Sequence, residues 1–232
     1  MVTSFPGGIG ISGLRVYDWP TVDGLCGGSP HAHLTCSECY YVVGGTGSVQ
    51  TLTRRGFAST PLGEGSVVWF TPGTIHRLVN DGDLRIIVVM QNSGLPEAGD
   101  AVFTFPPDVL ADPVRYAEAA APGGEETIRI RRDLALAGFL ELREGGGAAL
   151  DEFYAAALAL KRESLDDWEK RWRSGALAAA ELTGEHLDRL RAGDLGHLAS
   201  ADVLVLDPDK PQRFGMCGRL DTHEPGDGKS VH

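Results

Sequence analysis

The chain has 232 residues, enough to bury a full core as one enlarged domain or as one domain with an appendage. Its net charge of −11, with no basic stripe, argues against nucleic acid and against an anionic membrane as partners. Met1 to Trp19 has neither a basic leader nor a long apolar run, so no export signal or membrane span is expected. The four cysteines (Cys26, Cys36, Cys39, Cys217) are then expected as thiols in a cytoplasmic protein.

Residues 1–105 are rich in Gly, Val, Ile, Thr and aromatics, in short runs: Leu14–Trp19, Cys39–Val43, Ser48–Thr53, Ser66–Phe70, His76–Val79 and Leu84–Gln91. Between them stand Gly44-Gly45-Thr46-Gly47, Pro61-Leu62-Gly63, Pro72-Gly73 and Asp81-Gly82-Asp83. Strands at this spacing predict a closed or double-layered antiparallel β structure, with tight turns at Gly44–Gly47 and Asp81-Gly82. From residue 106 to 200 the texture turns helical. Short helices are expected over 107–121, interrupted at Pro113, and a strong amphipathic helix over 148–173 carries Leu150, Phe153, Ala157, Trp168 and Trp172. Ser164 with Asp167 fits a capping box, and Thr183 fits the N-cap of a last helix stopped by Gly193. In 201–232, Val203–Leu206 reads as a strand and the last ten residues as disordered.

The chemistry concentrates in two segments. Every histidine of the first 180 residues falls in His31-Ala32-His33 or Gly73-Thr74-Ile75-His76, and Glu38 follows the first pair closely. His31 and His33 share a strand face, and Glu38 and His76 arrive from neighbouring strands. Three imidazoles and a carboxylate hold a divalent transition metal while leaving positions open, unlike a closed structural zinc site.

His31-x-His33-x4-Glu38-x6-Gly45 matches the first motif of the cupin family, and Gly65-x5-Thr71-x-Gly73-x2-His76-x3-Asn80 matches the second. Thr71 stands where proline is usual, with Pro72 after it, and no glycine sits six residues before His31. Over residues 10–95 the chain therefore resembles a cupin. The resemblance implies a jelly-roll antiparallel β-barrel, to which the helical texture adds an α-helical C-terminal extension, and His31, His33, Glu38 and His76 as ligands. It further implies one divalent metal per chain, Fe or Mn first, with Zn, Ni, Cu or Co also accommodated, and a homodimer.

No lysine precedes Lys161, and the barrel histidines are spent on the metal. Tyr40 and Arg85 are the first choices for orienting a substrate, with Gln50, Glu64, Arg77 and Gln91 as further pocket groups. The shortage of acid–base pairs tilts the reading toward chemistry centred on the metal, a dioxygenase-type oxidoreductase acting on a small chelating molecule. A non-redox sugar or organic-acid isomerase, epimerase or lyase comes second, and a binding module without turnover third. Cys36-Ser37-Glu38-Cys39 reads as two thiols flanking a ligand, not as a redox motif. Trp168 and Trp172 read as core or interface residues. Few lysines against many arginines point to a bacterial source.

Overall fold

Two sixteen-residue strands, β3 (Glu38–Thr53) and β6 (Ile75–Met90), form the spine of the molecule, a computed structural model that describes residues 5–223 and 229–230. They pair antiparallel from Glu38 opposite Met90 to Leu52 opposite Ile75. Their alternation sends Tyr40, Val42 and Val49, with Leu78, Leu84, Ile86 and Val88, into one buried cluster. Both strands bend midway. The turns expected at Gly44–Gly47 and Asp81-Gly82 are instead facing irregularities within continuous strands, where the register shifts. Gly45 sits at φ +76, and an added Cβ would lie 2.0 Å from the Asp83 carbonyl oxygen. Bare backbone is what lets the two strands bend against each other.

Around this spine, β1 (Gly10–Val16) pairs with β6, while β4 (Gly56–Gly63) and β5 (Val67–Phe70) pair with β3. The short β2 (His31–His33) lies between β6 and β7 (Ala101–Phe103). The chain's end returns to the same sheet. There β10 (Gly218–Asp221) pairs with β1, and β9 (Arg213–Phe214) pairs with β10. Among the described residues β4, β5, β7 and β9 each pair on one side only, so the sheet curls in the jelly-roll manner without closing. Leu204–Val205 (β8) forms the expected late strand and pairs with Lys229–Ser230 (β11). The rest of the segment expected to be disordered falls mostly outside the described residues.

The helices cover the other face of the sheet around β2, β6 and β7. After α1 (Pro107–Leu110), Asp112 caps α2 (Pro113–Ala120), accepting from the amides of Val114 and Arg115 at 2.9 and 3.2 Å. The helical spacing read from residue 148 onward extends back to Glu125, so α3 spans Glu125–Lys161 with a kink at Gly146. Its stripe of Ile128, Ala135, Leu136, Phe139, Leu142, Leu150, Phe153 and Ala157 is buried. Most of it packs on Ala32, Leu52, Ile75, Val102, Phe103 and Phe105. Each large side chain so buried contributes about 1.5–3 kcal/mol.

A 3₁₀ turn, Arg162–Ser164, joins α3 to α4 (Leu165–Trp172). Ser164 makes no side-chain cap, so the expected capping box is absent: the chain turns directly from one helix into the next and leaves Ser164 in helical conformation. Thr183 is interior to α5 (Ala178–Arg191), not its N-cap, because the helix begins five residues earlier. Gly193, at φ +75, ends it as expected. A last helical turn, α6 (Gly196–Ala199), follows. Among the described residues, no helix is long and apolar enough to cross a membrane.

Candidate metal centre

The short β2 strand places His31 and His33 on one face and sets His31 directly opposite His76, the second residue of β6. Glu38 opens β3, paired with Phe70 on one side and Met90 on the other. One ligand atom from each of His31, His33, Glu38 and His76 lies within 4.8 Å of the others, and all four residues are buried. The structure thus brings the expected ligand set together.

Hydrogen bonds decide which nitrogens face inward. His31 Nδ1 lies 2.9 Å from the Ser29 carbonyl oxygen and His76 Nδ1 lies 3.1 Å from that of Thr74. A carbonyl only accepts, so both Nδ1 atoms carry the proton and each Nε2 presents a lone pair to the centre. His33 Nδ1 points at the Asp100 carboxylate, 3.2 Å from Oδ2. Anchoring the outer ring nitrogen in this way is how a metal-binding imidazole is held to one tautomer and one orientation.

The inner atoms are unsatisfied. Glu38 Oε2 stands 3.1 Å from His76 Nε2 and 3.3 Å from His33 Nε2, yet among the described residues neither Glu38 Oε2 nor His76 Nε2 has a well-directed hydrogen-bond partner. Orphaned buried acceptors are costly unless a cation sits among them. Electrostatics agree. Burial opposes ionisation of Glu38, but His76 and His33 outweigh it and hold its carboxyl well below the usual range. Burial, with His76 and His33 beside it, keeps His31 neutral. Burial works against charge on His33 too, but Asp100 and Glu38 overcome it and raise that imidazole to about 9. Two buried carboxylates around three imidazoles make a place for positive charge, and the donor set suits a divalent transition metal.

Asp100 is the residue that sequence reasoning missed. It is fully buried and accepts from the amides of Leu34 (3.1 Å), Thr35 (2.8 Å) and Cys36 (3.3 Å) and from the Thr35 hydroxyl (2.8 Å). Burial alone would raise its carboxyl; the bonds from His33, Thr35 and Cys36 pull it down to about 2. It lies outside both motifs, 67 residues from His33, and no local pattern marks it.

The other candidates divide. Tyr40 is buried in the interior, its ring 5.2 Å from that of Phe70 and 6.3 Å from that of His76. Its hydroxyl is buried near Glu38 and Cys217, and burial with the Glu38 charge pushes its pKa well above 10. Arg85 is a correction. It alternates with buried Leu84 and Ile86, lies on the outer face and pairs with Asp83 at 3.3 Å, so strand periodicity turns it away from the ligands. Arg77 and Gln50 also face away: Arg77 is buried against Asp23, Thr21 and Gln50. Glu64 is exposed, and Gln91 accepts from the Ser37 amide at 3.1 Å. Cys36 is buried, Cys39 half-buried, and both are free thiols.

The cupin-domain family model matches residues 23–90, which contain all four ligands. The match shows a cupin domain over this stretch of the chain. No curated protein sequence matches this cupin. Among solved structures, PAC13 from Streptomyces with uridine is 16% identical over 40% of this chain and 62% of that one, with a TM-score of 0.29. KdgF from Halomonas is 20% identical over 39% of this chain and 74% of that one, at 0.31. WlaRA from Campylobacter jejuni, a TDP-fucose-3,4-ketoisomerase, is 10% identical over 39% of this chain and 64% of that one, at 0.32. At such scores these likenesses carry no functional weight.

Proposed function

We propose that this cupin is a metal-dependent enzyme acting on a small chelating organic molecule, with dioxygenase-type oxidation as the leading chemistry. The observation that carries the reading is the inward-facing set of His31, His33 and His76 Nε2 atoms with the Glu38 carboxylate. Four protein ligands leave room for a substrate on a five- or six-coordinate ion. A bound iron or manganese ion supplies Lewis-acid activation and one-electron chemistry.

The protein's own residues hold and shape the site. His31 and His76 are fixed through backbone carbonyls and His33 through Asp100. Phe70 walls the interior, its ring 4.2 Å from His76, and Tyr40 presents a neutral phenol toward it. Non-redox isomerisation wants a proton-transfer pair poised near the working pH. No lysine precedes Lys161 and the three barrel histidines belong to the ligand set, which favours oxidation over isomerase or lyase chemistry.

The partner proposed is a second copy of the chain. Tyr41, Val43, Val67 and Trp69 stand exposed together on the outer face of β3 and β5, with Trp69 70% exposed. They present on the order of 400 Å² of apolar surface, about half of one partner's share of a standard interface. The helical stripe contributes less than expected to that role, because Trp168 is spent inside its own chain.

The test is elemental analysis of untagged protein, paired with O2 uptake after anaerobic Fe(II) loading across a panel of chelating substrates. Stoichiometric iron or manganese with substrate-dependent uptake is the expected result. Metal without uptake transfers the proposal to non-redox chemistry, and protein that takes up no metal overturns it.

A further inference from the structure

Asp100 reaches His33 from a turn that lies beyond the cupin match. Pro96–Asp100 is a single helical turn with Gly99 at φ +88. Internally it is closed by Asp100 N to Leu95 O and Ala98 N to Gly94 O, both 3.1 Å. Asp100 itself is held from the connection between β2 and β3, by Leu34, Thr35 and Cys36, whereas Ala98 and Gly99 are held from the helical extension. The Trp168 indole N–H donates to the Ala98 carbonyl at 3.1 Å, and the Trp168 ring is buried against Leu95 and Cys36. On α3, Lys161 Nζ comes within 3.3 Å of where a Cβ on Gly99 would stand. It also lies 5.5 Å from the centre of the Tyr116 ring, whose hydroxyl accepts from Phe103 N of β7. The helices therefore grip the turn at Ala98 and Gly99, the two residues before the carboxylate that orients His33.

We propose that Trp168 is a positioning residue for the metal centre, acting on His33 through the Ala98 carbonyl and Asp100. This rests on the metal reading above. It gives the helical extension a task that surface cover alone would not require: holding a carboxylate still behind one ligand.

The test measures Co(II) affinity of the full-length protein by chelator competition, together with the visible absorption of the bound Co(II). Asp100→Asn is expected to weaken Co(II) binding roughly 10–100-fold. Trp168→Phe, which removes the N–H and keeps most of the ring, is expected to weaken it roughly 3–10-fold and to shift the Co(II) bands. Trp172→Phe, on the same helix but partly exposed, is the control and is expected to change neither. In the double variant Asp100→Asn/Trp168→Phe, the loss matches Asp100→Asn alone, since Trp168 has nothing left to act through. Additive losses, or a Trp168→Phe protein with unchanged affinity and bands, overturn the inference. Wild-type protein that fails to bind Co(II) overturns the metal reading itself. Should Asp100→Asn not fold, the affinity and spectrum of Trp168→Phe decide alone.

Discussion

The strands and the helices of this cupin carry opposite kinds of information. In the strand half, the residues of the candidate metal cluster sit in two compact motifs, because period-two alternation and one cross-strand pair, His31 opposite His76, suffice to converge them. In the helical half no motif exists. Yet that half buries Phe139 and Phe153 against the outside of the sheet and reaches the Ala98 carbonyl with Trp168. The lesson is a division of labour: local patterns place the ligands, and long-range packing steadies them.

That division can be broken at each end. The largest effect is expected at a ligand. His76→Ala should abolish stoichiometric metal, read by elemental analysis, while Arg85→Ala on the outer face should retain it. Next in size is the helical core. Phe139→Ala should cost roughly 3–5 kcal/mol in urea unfolding, because the cavity lies between α3 and the sheet. Leu187→Ala on α5, where no residue is buried, should cost less than about 0.5 kcal/mol in the same assay, which sharpens the contrast between the two helices.

Smaller than the effect of the helical core is the acid-side contribution of Asp100. Its carboxyl is held at about 2 against an ordinary value of 3.8, so its ionised form stabilises the fold. That stabilisation, about 2 kcal/mol, is complete above pH ~4 and lost as pH falls through ~2. Asp100→Asn should therefore flatten the loss of stability between those values, measured by denaturant melts across pH. A wild-type slope that persists in the variant would assign the acid sensitivity to other carboxylates.

Much of the site was legible before any fold was known. Histidine and carboxylate spacing named the four ligands because metal binding demands those donor types on adjacent strands. The glycines at 44–47 and 81–83 were visible too, but their role was not. A glycine that permits a turn and one that permits close approach look alike until the facing strand, here at the Asp83 carbonyl, is in place. Arg85 was misjudged for a related reason: alternation says which residues share a face, and the bulges then decide which face is inside.

By itself, then, the sequence determined the four candidate ligands, the β-rich first half and the amphipathic stripe from residue 148 onward, since each depends on residue type and near-neighbour spacing. Tertiary structure alone decided that α3 starts at Glu125, that the chain's end returns as a strand beside β1, and that Asp100 lies behind His33. The last two join residues that are, respectively, more than two hundred positions and 67 positions apart, and such pairings are selected by the packing of the whole chain, which leaves no periodic trace in any one segment.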